Sequence, residues 1–250
     1  MTYCCGILVR DGLVMIADTR TNAGLDNIST FRKLHVFEKK GHHALAIATA
    51  GNLSITQNVL HFVRNGVENA KTKELDRLED MTDMFAAAQL IGRAVRKVDE
   101  VYGEALEQAS LNFDVSFLFG GQIAGGPPRL FMIYSAGNFI ECTPDAPFLQ
   151  IGEHKYGKPI LDRAVNFNTD LYDALKIGLI SMDSTIKSNL GVGLPIDIVV
   201  TRTNDPSFEV EARMDATDEY FRDLRERWSA ALRAAHMGIP RPSFSKKPEA

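Results

Sequence analysis

Residues 3–17 read YCCGILVRDGLVMIA, and this stretch decides the fold class. Apolar side chains occupy both alternating faces of its first half, the odd-numbered positions on one face and Cys4 and Leu8 on the other. A strand with two apolar faces is covered on both sides, as in a layered sandwich. The Asp-Gly pair at 11–12 then predicts a tight hairpin turn, followed by a returning strand at 13–17.

The rest of the chain alternates between blocks of strands and blocks of helices. Period-two and period-3.6 patterns of apolar residues distinguish the two kinds of block. Strands are predicted at 34–37, 44–50, 113–119, 130–134, 139–142, 196–201 and 208–212, and helices around 55–63, 84–106, 171–186 and 221–232.

This order of elements excludes a doubly wound parallel fold, in which strands and helices would alternate one by one. It predicts an α+β fold, a four-layer αββα sandwich of two antiparallel sheets flanked by helices. Residues 1–240 are predicted to form a single domain, since no interior linker or repeat interrupts the pattern. Residues 241–250, RPSFSKKPEA, are predicted to form a mobile tail. The two glycines at 120–121 are interpreted as part of a loop.

Composition excludes several classes of protein. The 250 residues carry 28 basic and 32 acidic side chains, a formal charge of −4, and a nucleic-acid-binding face normally shows as a basic excess. Hydrophobic residues make up 45% and charged residues 24%, which excludes a disordered chain. We therefore expect a globular protein with no nucleic-acid partner.

The three cysteines indicate a reducing compartment rather than a disulfide framework. No CxxC pair occurs, so no structural metal site is expected. The N-terminus lacks the basic and apolar regions of a signal peptide, and no apolar run approaches the roughly 20 residues of a membrane span. We therefore expect a cytoplasmic protein with no membrane partner.

Thr2 is the first residue that can carry chemistry. Removal of Met1 by an aminopeptidase would leave a threonine with both a hydroxyl and a free α-amine. An α-amine titrates near ~7.7–8, so it can serve as the general base for the hydroxyl of its own residue. Because many chains begin Met-Thr by chance, this signal needs support from other positions.

Three later positions supply that support. Asp18 ends an apolar strand and Lys33 precedes the next one, so neighbouring strands can bring both to Thr2. A lysine there would lower the pKa of the hydroxyl, and an aspartate would keep the lysine charged and oriented. Gly51 follows another strand and can offer its backbone N–H to a developing oxyanion. The alternative is that Asp18 and Lys33 are strand-end surface charges and Gly51 a turn.

These residues resemble a known family. Thr2, the ADTRTNAG segment at 17–24, FRKLHVFE at 31–38 and ATAGN at 48–52 are similar to proteasome β-type subunits, and most of all to the bacterial group called Anbu, the ancestral β-subunit. The match is dense over the first ~55 residues and extends, through the order of elements, to about residue 201. The resemblance implies an N-terminal nucleophile (Ntn) hydrolase fold and threonine peptidase activity. It implies no cofactor.

The resemblance also assigns roles to single positions. Thr2 would be nucleophile and base, Asp18 and Lys33 its activating pair, and Gly51 the oxyanion donor. Four residues would contact the substrate: Thr21 and Asn22 beside the channel in which a peptide pairs as a strand, and Thr49 and Leu53 in the pocket before the cleaved bond. No propeptide precedes Thr2 in the sequence, so loss of Met1 alone would have to mature the enzyme.

Two positions depart from the family's pattern. Glu153 stands where a supporting serine is usual, and Asn189 stands where an aspartate is usual. Both changes affect the hydrogen bonds expected around the α-amine of Thr2.

Three functions follow as hypotheses. The first is a threonine peptidase that cleaves peptides or unfolded proteins inside a self-compartmentalised ring or helical assembly of identical subunits. The second is an amidase with the same nucleophile and a non-peptide substrate, which the changes at Glu153 and Asn189 motivate. The third is an inactive structural subunit. No motif identifies an unfoldase partner.

Overall fold

A computed structural model describes residues 1–22, 28–69, 71–110 and 112–244. Fourteen strands and five α-helices lie in these ranges. The strands are β1 Tyr3–Val9, β2 Gly12–Asp18, β3 Arg20–Asn22, β4 Ile28–Thr30, β5 Leu34–Lys39, β6 His43–Gly51, β7 Val67–Glu68, β8 Leu75–Asp76, β9 Val115–Ile123, β10 Arg129–Ile133, β11 Phe139–Glu141, β12 Phe148–Gly152, β13 Ile196–Arg202 and β14 Val210–Met214. The helices are α1 Leu53–Asn65, α2 Met84–Gln108, α3 Lys158–Ala164, α4 Leu171–Ser188 and α5 Glu219–Gly238.

Two five-stranded sheets form the centre of the molecule. Sheet I has the order β12-β1-β2-β13-β14 and sheet II the order β11-β10-β9-β6-β5, and all the neighbouring pairs are antiparallel. Helix α4 packs on β1 and β2 of sheet I, and α3 and α5 pack on α4. Helices α1 and α2 cover sheet II. The predicted αββα sandwich of two antiparallel sheets is confirmed.

The alternating faces of β1 explain why the sheets stack. Its odd-numbered residues, Tyr3 to Val9, belong to the core between sheet I and its helices, whereas Cys4 and Leu8 belong to the core between the two sheets. A Cβ at Gly6 would lie 2.8 Å from the Leu130 side chain, so a glycine permits the close approach of the sheets. The predicted two-sided burial of this strand is confirmed, since all seven of its residues are buried.

The glycines at 120–121 belong to a strand, not to a loop. Both lie inside β9, where Gly120 pairs with Ala46 and Gly121 with Leu45. A Cβ at Gly120 would lie 2.8 Å from the side chains of Leu13 and Met15 in the facing sheet. The sequence prediction was wrong here because neither glycine forms a turn. Gly120 allows the close approach of the facing sheet, whereas Gly121, with a φ of +138°, allows the close approach of β6, where an added Cβ would lie 2.0 Å from the Ala44 carbonyl oxygen.

Other differences concern short elements. Strand β12, helix α3 and the β3–β4 hairpin were not predicted, because each has too few residues to show a period. Part of the predicted tail, residues 245–250, lies outside the described residues. All three cysteines are unpaired and buried. Within the described ranges, no helix is both long and apolar enough to cross a membrane.

Candidate active site

Thr2 directly precedes β1, which lies between β12 and β2 in sheet I. Its backbone carbonyl accepts a 2.7 Å hydrogen bond from the N–H of Glu153, which extends the β1–β12 ladder by one step. Gly152 has a φ of +79°, and a Cβ at this position would lie 2.0 Å from the Thr2 carbonyl oxygen. Only a glycine therefore allows β12 to pass so close to Thr2, whose residue exposure is 8%.

Asp18 and Lys33 meet directly beside Thr2. The Lys33 Nζ lies 2.8 Å from Oδ1 of Asp18, and both side chains are buried. Antiparallel pairing of β1 with β2 brings the last residue of β2 next to the first residues of β1. The N–H of Tyr3 donates a 3.0 Å hydrogen bond to the same Oδ1, which ties the pair to the residue after Thr2.

The Asp18 carboxylate is held by more than one donor. The N–H of Gly193 donates to Oδ2 at 3.3 Å, in addition to the bonds from Tyr3 and Lys33. Burial raises the pKa of the Asp18 carboxyl, and the Lys33 ammonium with the two backbone N–H groups opposes that rise. These donors therefore offset part of the cost of burying the carboxylate.

Lys33 uses all three of its ammonium donors when Met1 is present. Besides Asp18, Nζ donates to the carbonyl oxygen of Arg20 at 2.6 Å and to that of Met1 at 3.3 Å. The Met1 carbonyl belongs to the peptide bond that would be cut during maturation. Its removal would free one lysine donor on the side of Thr2.

The N–H of Gly51 lies on the β5 side of strand β6. Along β6 the hydrogen-bonding direction alternates: Thr49 donates to the Lys33 carbonyl at 2.9 Å, and Asn52 donates to the Asp114 carbonyl on the other side. Ala50, between these two residues, pairs with β9. Because the hydrogen-bonding direction alternates along a strand, the N–H of the next residue, Gly51, lies on the β5 side. Strand β5 begins only at Leu34, and the N–H therefore extends past its end, beside Lys33.

The four predicted substrate-contacting residues lie on three elements, β3, β6 and α1. Thr49 is buried in β6, and Leu53 is the half-buried first residue of α1. Thr21 lies in the β3–β4 hairpin, and its Oγ1 is buried with no hydrogen-bond partner in the described part of the chain. The backbone of Asn22 pairs with Ile28 in the same hairpin, and the next residues, 23–27, lie outside the described residues. Their contact with substrate stays a prediction.

Glu153 contacts Thr2, and Asn189 contacts Met1. Glu153 contributes its backbone N–H, while its carboxylate lies 3.5 Å from the Lys155 ammonium. The Asn189 Nδ2 lies 3.1 Å from the sulfur of Met1, and its Oδ1 accepts from the N–H of Gly191. Asn189 therefore faces the residue that precedes Thr2.

Sequence reasoning missed two side chains that build this site. The Tyr3 hydroxyl is hydrogen-bonded to Ser181 Oγ at 2.6 Å and to Gln150 Nε2 at 2.5 Å, which fixes the residue after Thr2 to α4 and β12. Arg20 donates from Nη1 to the Leu190 carbonyl at 3.0 Å and holds the 189–193 loop in place. In the sequence, the aromatic side chain at position 3 has the pattern of an ordinary core residue, so no sequence signal indicated its role in the site.

Arg20 also explains why residue 193 is a glycine. A Cβ at Gly193 would lie 2.4 Å from the guanidinium carbon of Arg20, so the guanidinium lies directly on the Gly193 backbone. The same residue donates its N–H to Asp18. Arg20 thereby holds one of the donors that surround the Asp18 carboxylate. Among the described residues, no group of three or more His, Cys, Asp or Glu side chains could hold a metal ion.

Comparison with known proteins shows the family to which the chain belongs. The family model described as "Proteasome subunit" matches residues 2–201. Anbu from Hyphomicrobium sp. strain MC1 is 43% identical over 97% of this chain and 100% of its own, with a TM-score of 0.87. Anbu (ancestral beta-subunit) from Yersinia bercovieri is 40% identical over 98% of this chain and 100% of its own, with a TM-score of 0.88.

A third similar structure is a helical assembly of the Anbu complex from Pseudomonas aeruginosa. It is 42% identical over 97% of this chain and 98% of its own, with a TM-score of 0.87. No curated protein matches the chain. The extent of these matches shows that the chain belongs to the proteasome subunit family and, within it, to the Anbu group, with the fold of the Ntn hydrolases.

Proposed function

We propose that this protein is a threonine-type peptidase that uses Thr2 as its nucleophile after Met1 has been removed. The observation that carries the proposal is the buried ion pair of Asp18 and Lys33 directly beside Thr2. Burying two charges costs free energy, and apolar side chains of similar volume would pack here at least as well. A fixed ammonium next to a hydroxyl, by contrast, lowers the pKa of that hydroxyl and activates it.

The reaction needs no group beyond these residues and water. The α-amine of Thr2 takes the hydroxyl proton while Oγ attacks the carbonyl carbon of the substrate, and the Gly51 N–H stabilises the resulting oxyanion. Collapse of this intermediate breaks the C–N bond, and the amine that leaves takes the proton from the α-ammonium. A water molecule then attacks the ester on Thr2, releases the acid and restores the hydroxyl.

Removal of Met1 is part of the proposal. While Met1 is present, the nitrogen of Thr2 is an amide and cannot act as a base. The Met1 carbonyl also occupies one donor of Lys33, at 3.3 Å. Cleavage after Met1 would supply the base and free the lysine donor in one step.

We further propose that the peptidase works in the cytoplasm, within an assembly of identical subunits, on peptides or unfolded proteins. The similar Anbu from Pseudomonas aeruginosa forms a helical assembly, and burial of the site inside an assembly would exclude folded proteins. Three unpaired cysteines agree with a reducing compartment.

Intact-mass measurement of the protein from its own host, with and without an electrophile that acylates N-terminal threonine, tests the nucleophile. We expect a mass without Met1 and a single adduct, which Thr2→Ala abolishes and Thr2→Ser retains. Extended peptides should be hydrolysed by the unmodified protein and not by Thr2→Ala. If an adduct forms but no peptide is hydrolysed, the result would contradict the peptidase and favour an amidase with the same nucleophile.

The alternative of an inactive structural subunit rests on a specific observation. The Met1 side chain contacts the 189–191 loop: Asn189 Nδ2 lies 3.1 Å from its sulfur, and an added Cβ at Gly191 would lie 2.8 Å from its Cβ. A chain that keeps Met1 would hold this arrangement permanently. Retained Met1 and no adduct in the mass measurement would establish this alternative.

A further inference from the structure

A cleft of about 770 Å³ opens from Gly51 and runs along the outer edge of sheet I. Gly51, Asp114 and Ser116 line its sheet II side, and Phe148, Gln150 and Gly152 of β12 line the opposite side. It touches the Thr2 site at two points, since Gly51 is the expected oxyanion donor and Gly152 lies against the Thr2 carbonyl.

Strand β12 presents unpaired backbone groups to this cleft. It is the last strand of sheet I, so within the described ranges only one of its edges is paired, with β1. The ladder contains the bonds from Glu153 N–H to the Thr2 carbonyl and from Leu8 N–H to the Pro147 carbonyl. In an antiparallel pair the direction alternates with every residue, so odd-numbered residues of β12 face β1.

The even-numbered residues of β12 therefore direct their N–H and C=O groups away from β1. These are Phe148, Gln150 and Gly152, all of which line the cleft. The Gly152 carbonyl already accepts from the N–H of His154 at 2.9 Å. The N–H groups of all three residues and the carbonyls of Phe148 and Gln150 are thus available to an added strand.

Charge adds a preference for one kind of side chain. Lys158 is paired with Asp162 inside the cleft, at 2.5 Å. Asp114 and Asp145 also line it, and both are exposed and without an ion-pair partner among the described residues. The two free carboxylates attract a basic side chain, and Asp114 lies directly beside Gly51, where its carbonyl would be 2.1 Å from an added Cβ.

We propose that the leaving side of an extended peptide binds in this cleft as an additional strand on β12, with a preference for lysine or arginine in the residues after the cleaved bond. Thr21, Thr49 and Leu53, the residues expected to contact the other side of the substrate, do not line the cleft. Gly51 lies between the two regions, so a peptide whose scissile carbonyl meets Gly51 extends from one into the other. This inference rests on the proposed function, which makes Thr2 the point of cleavage.

Binding measured in the absence of cleavage tests the cleft. The protein carries Thr2→Ala, and the probes are two fluorescein-labelled, unstructured octapeptides that differ only in carrying two lysines or two glutamates. Gln150→Pro removes the N–H that faces the cleft and leaves the β1 ladder intact, and Gln150→Ala is its reference for loss of the side chain. We expect Gln150→Pro to weaken binding of the lysine peptide about fivefold or more relative to Gln150→Ala. Equal affinities, or no binding of either peptide, would overturn the inference.

Asp114→Asn decides the charge preference and does not depend on whether Gln150→Pro folds. The side chain is exposed, so the substitution leaves the core unchanged. At low salt the lysine peptide should bind more tightly than the glutamate peptide, and Asp114→Asn should reduce the ratio about threefold. An unchanged ratio would overturn the preference for basic residues.

Hydrolysis separates the leaving side from the rest of the substrate. With Thr2 present, Gln150→Pro should lower kcat/KM for an extended peptide relative to Gln150→Ala, and both variants should cleave an amide whose leaving group is a small dye equally well. Equal effects on both substrates would overturn assignment to the leaving side. If the unmodified protein hydrolyses neither substrate and forms no Thr2 adduct, the proposed function fails, while the binding measurement still decides whether the cleft takes a peptide.

Discussion

The ammonium of Lys33 lies 2.8 Å from Oδ1 of Asp18, and their side chains are only 5% and 0% exposed. The pair connects the end of β2 with the residue before β5, and thus one sheet of the sandwich with the other. Its geometry depends on three further hydrogen bonds, from Tyr3 and Gly193 to Asp18 and from Lys33 to the Arg20 carbonyl. The site is therefore a rigid part of the core rather than an addition to its surface.

Lys33→Met should destabilise the protein by about 3–5 kcal/mol, because it leaves the Asp18 carboxylate buried without its counter-ion. Asp18→Asn combined with Lys33→Met should cost less than Lys33→Met alone, since no buried charge then remains. Urea unfolding of the single and double variants measures the difference. The exposed pair of Lys97 and Glu100 is the control, and Lys97→Met should change stability by no more than about 0.5 kcal/mol. A cost equal to that of Lys97→Met would contradict the prediction.

Gly51→Ala should disturb the site, whereas Gly41→Ala should not. Both glycines have a positive φ, +103° and +73°, so each alanine costs about 1 kcal/mol or more in backbone strain. A Cβ at Gly51 would in addition lie 2.1 Å from the Asp114 carbonyl oxygen, while a Cβ at Gly41 meets nothing within 4 Å. We expect a larger loss of stability at Gly51, together with loss of Thr2 acylation. Thermal unfolding measures the loss of stability, and the mass adduct measures Thr2 acylation. Equal stability and equal acylation of the two variants would contradict the prediction, since the backbone around Gly51 would then move away from the added Cβ at little cost.

Tyr3→Phe should cost about 1–3 kcal/mol, because Ser181 Oγ and Gln150 Nε2 lose their buried partner. Burial raises the pKa of the Tyr3 phenol well above its usual value, so the hydroxyl stays protonated at neutral pH and accepts from Gln150 Nε2. Chemical unfolding measures the cost. Tyr156→Phe is the control, since the hydroxyl of Tyr156 has no hydrogen bond among the described residues, and its effect should stay within about 0.5 kcal/mol.

Acid should destabilise the protein through His35. Burial, together with Arg64 and Arg32, lowers the pKa of His35 from 6.5 to about 4. The unfolded chain therefore binds a proton at a higher pH than the folded chain, so this contribution to stability is complete above pH 6.5 and is lost as the pH falls toward 4. The loss by pH 4 amounts to at most about 3 kcal/mol.

Urea unfolding at pH 7 and at pH 4.5 measures this dependence in the unmodified protein and in His35→Gln. The variant cannot take up the proton, so its stability should fall less between the two pH values. The same fall in both proteins would assign the acid sensitivity to other groups.

The layered fold was predictable because it depends on periodicity, which each segment carries locally. The apolar alternation of β1 and the stripes of α1, α2 and α4 predicted both sheets and their helical cover. The prediction was wrong at Gly120 and Gly121, because the facing sheet needs a glycine at 120 and the neighbouring strand β6 needs one at 121, and neither forms a turn. Strand β12 was missed for a related reason, since its pairing with β1 is long-range and its five residues show no pattern of their own.

The sequence by itself determined which residues could do chemistry: a threonine after Met1, and an aspartate, a lysine and a glycine at strand ends. The tertiary structure alone decided that Asp18 and Lys33 form a buried pair, that Tyr3, Arg20 and Gly193 hold it, and that a cleft with a free strand edge opens from Gly51. The physical reason is that hydrogen bonds and ion pairs act over about 3 Å, whereas the residues that surround the pair lie 13 to 175 positions apart along the chain. Only the register of the strands brings such residues together.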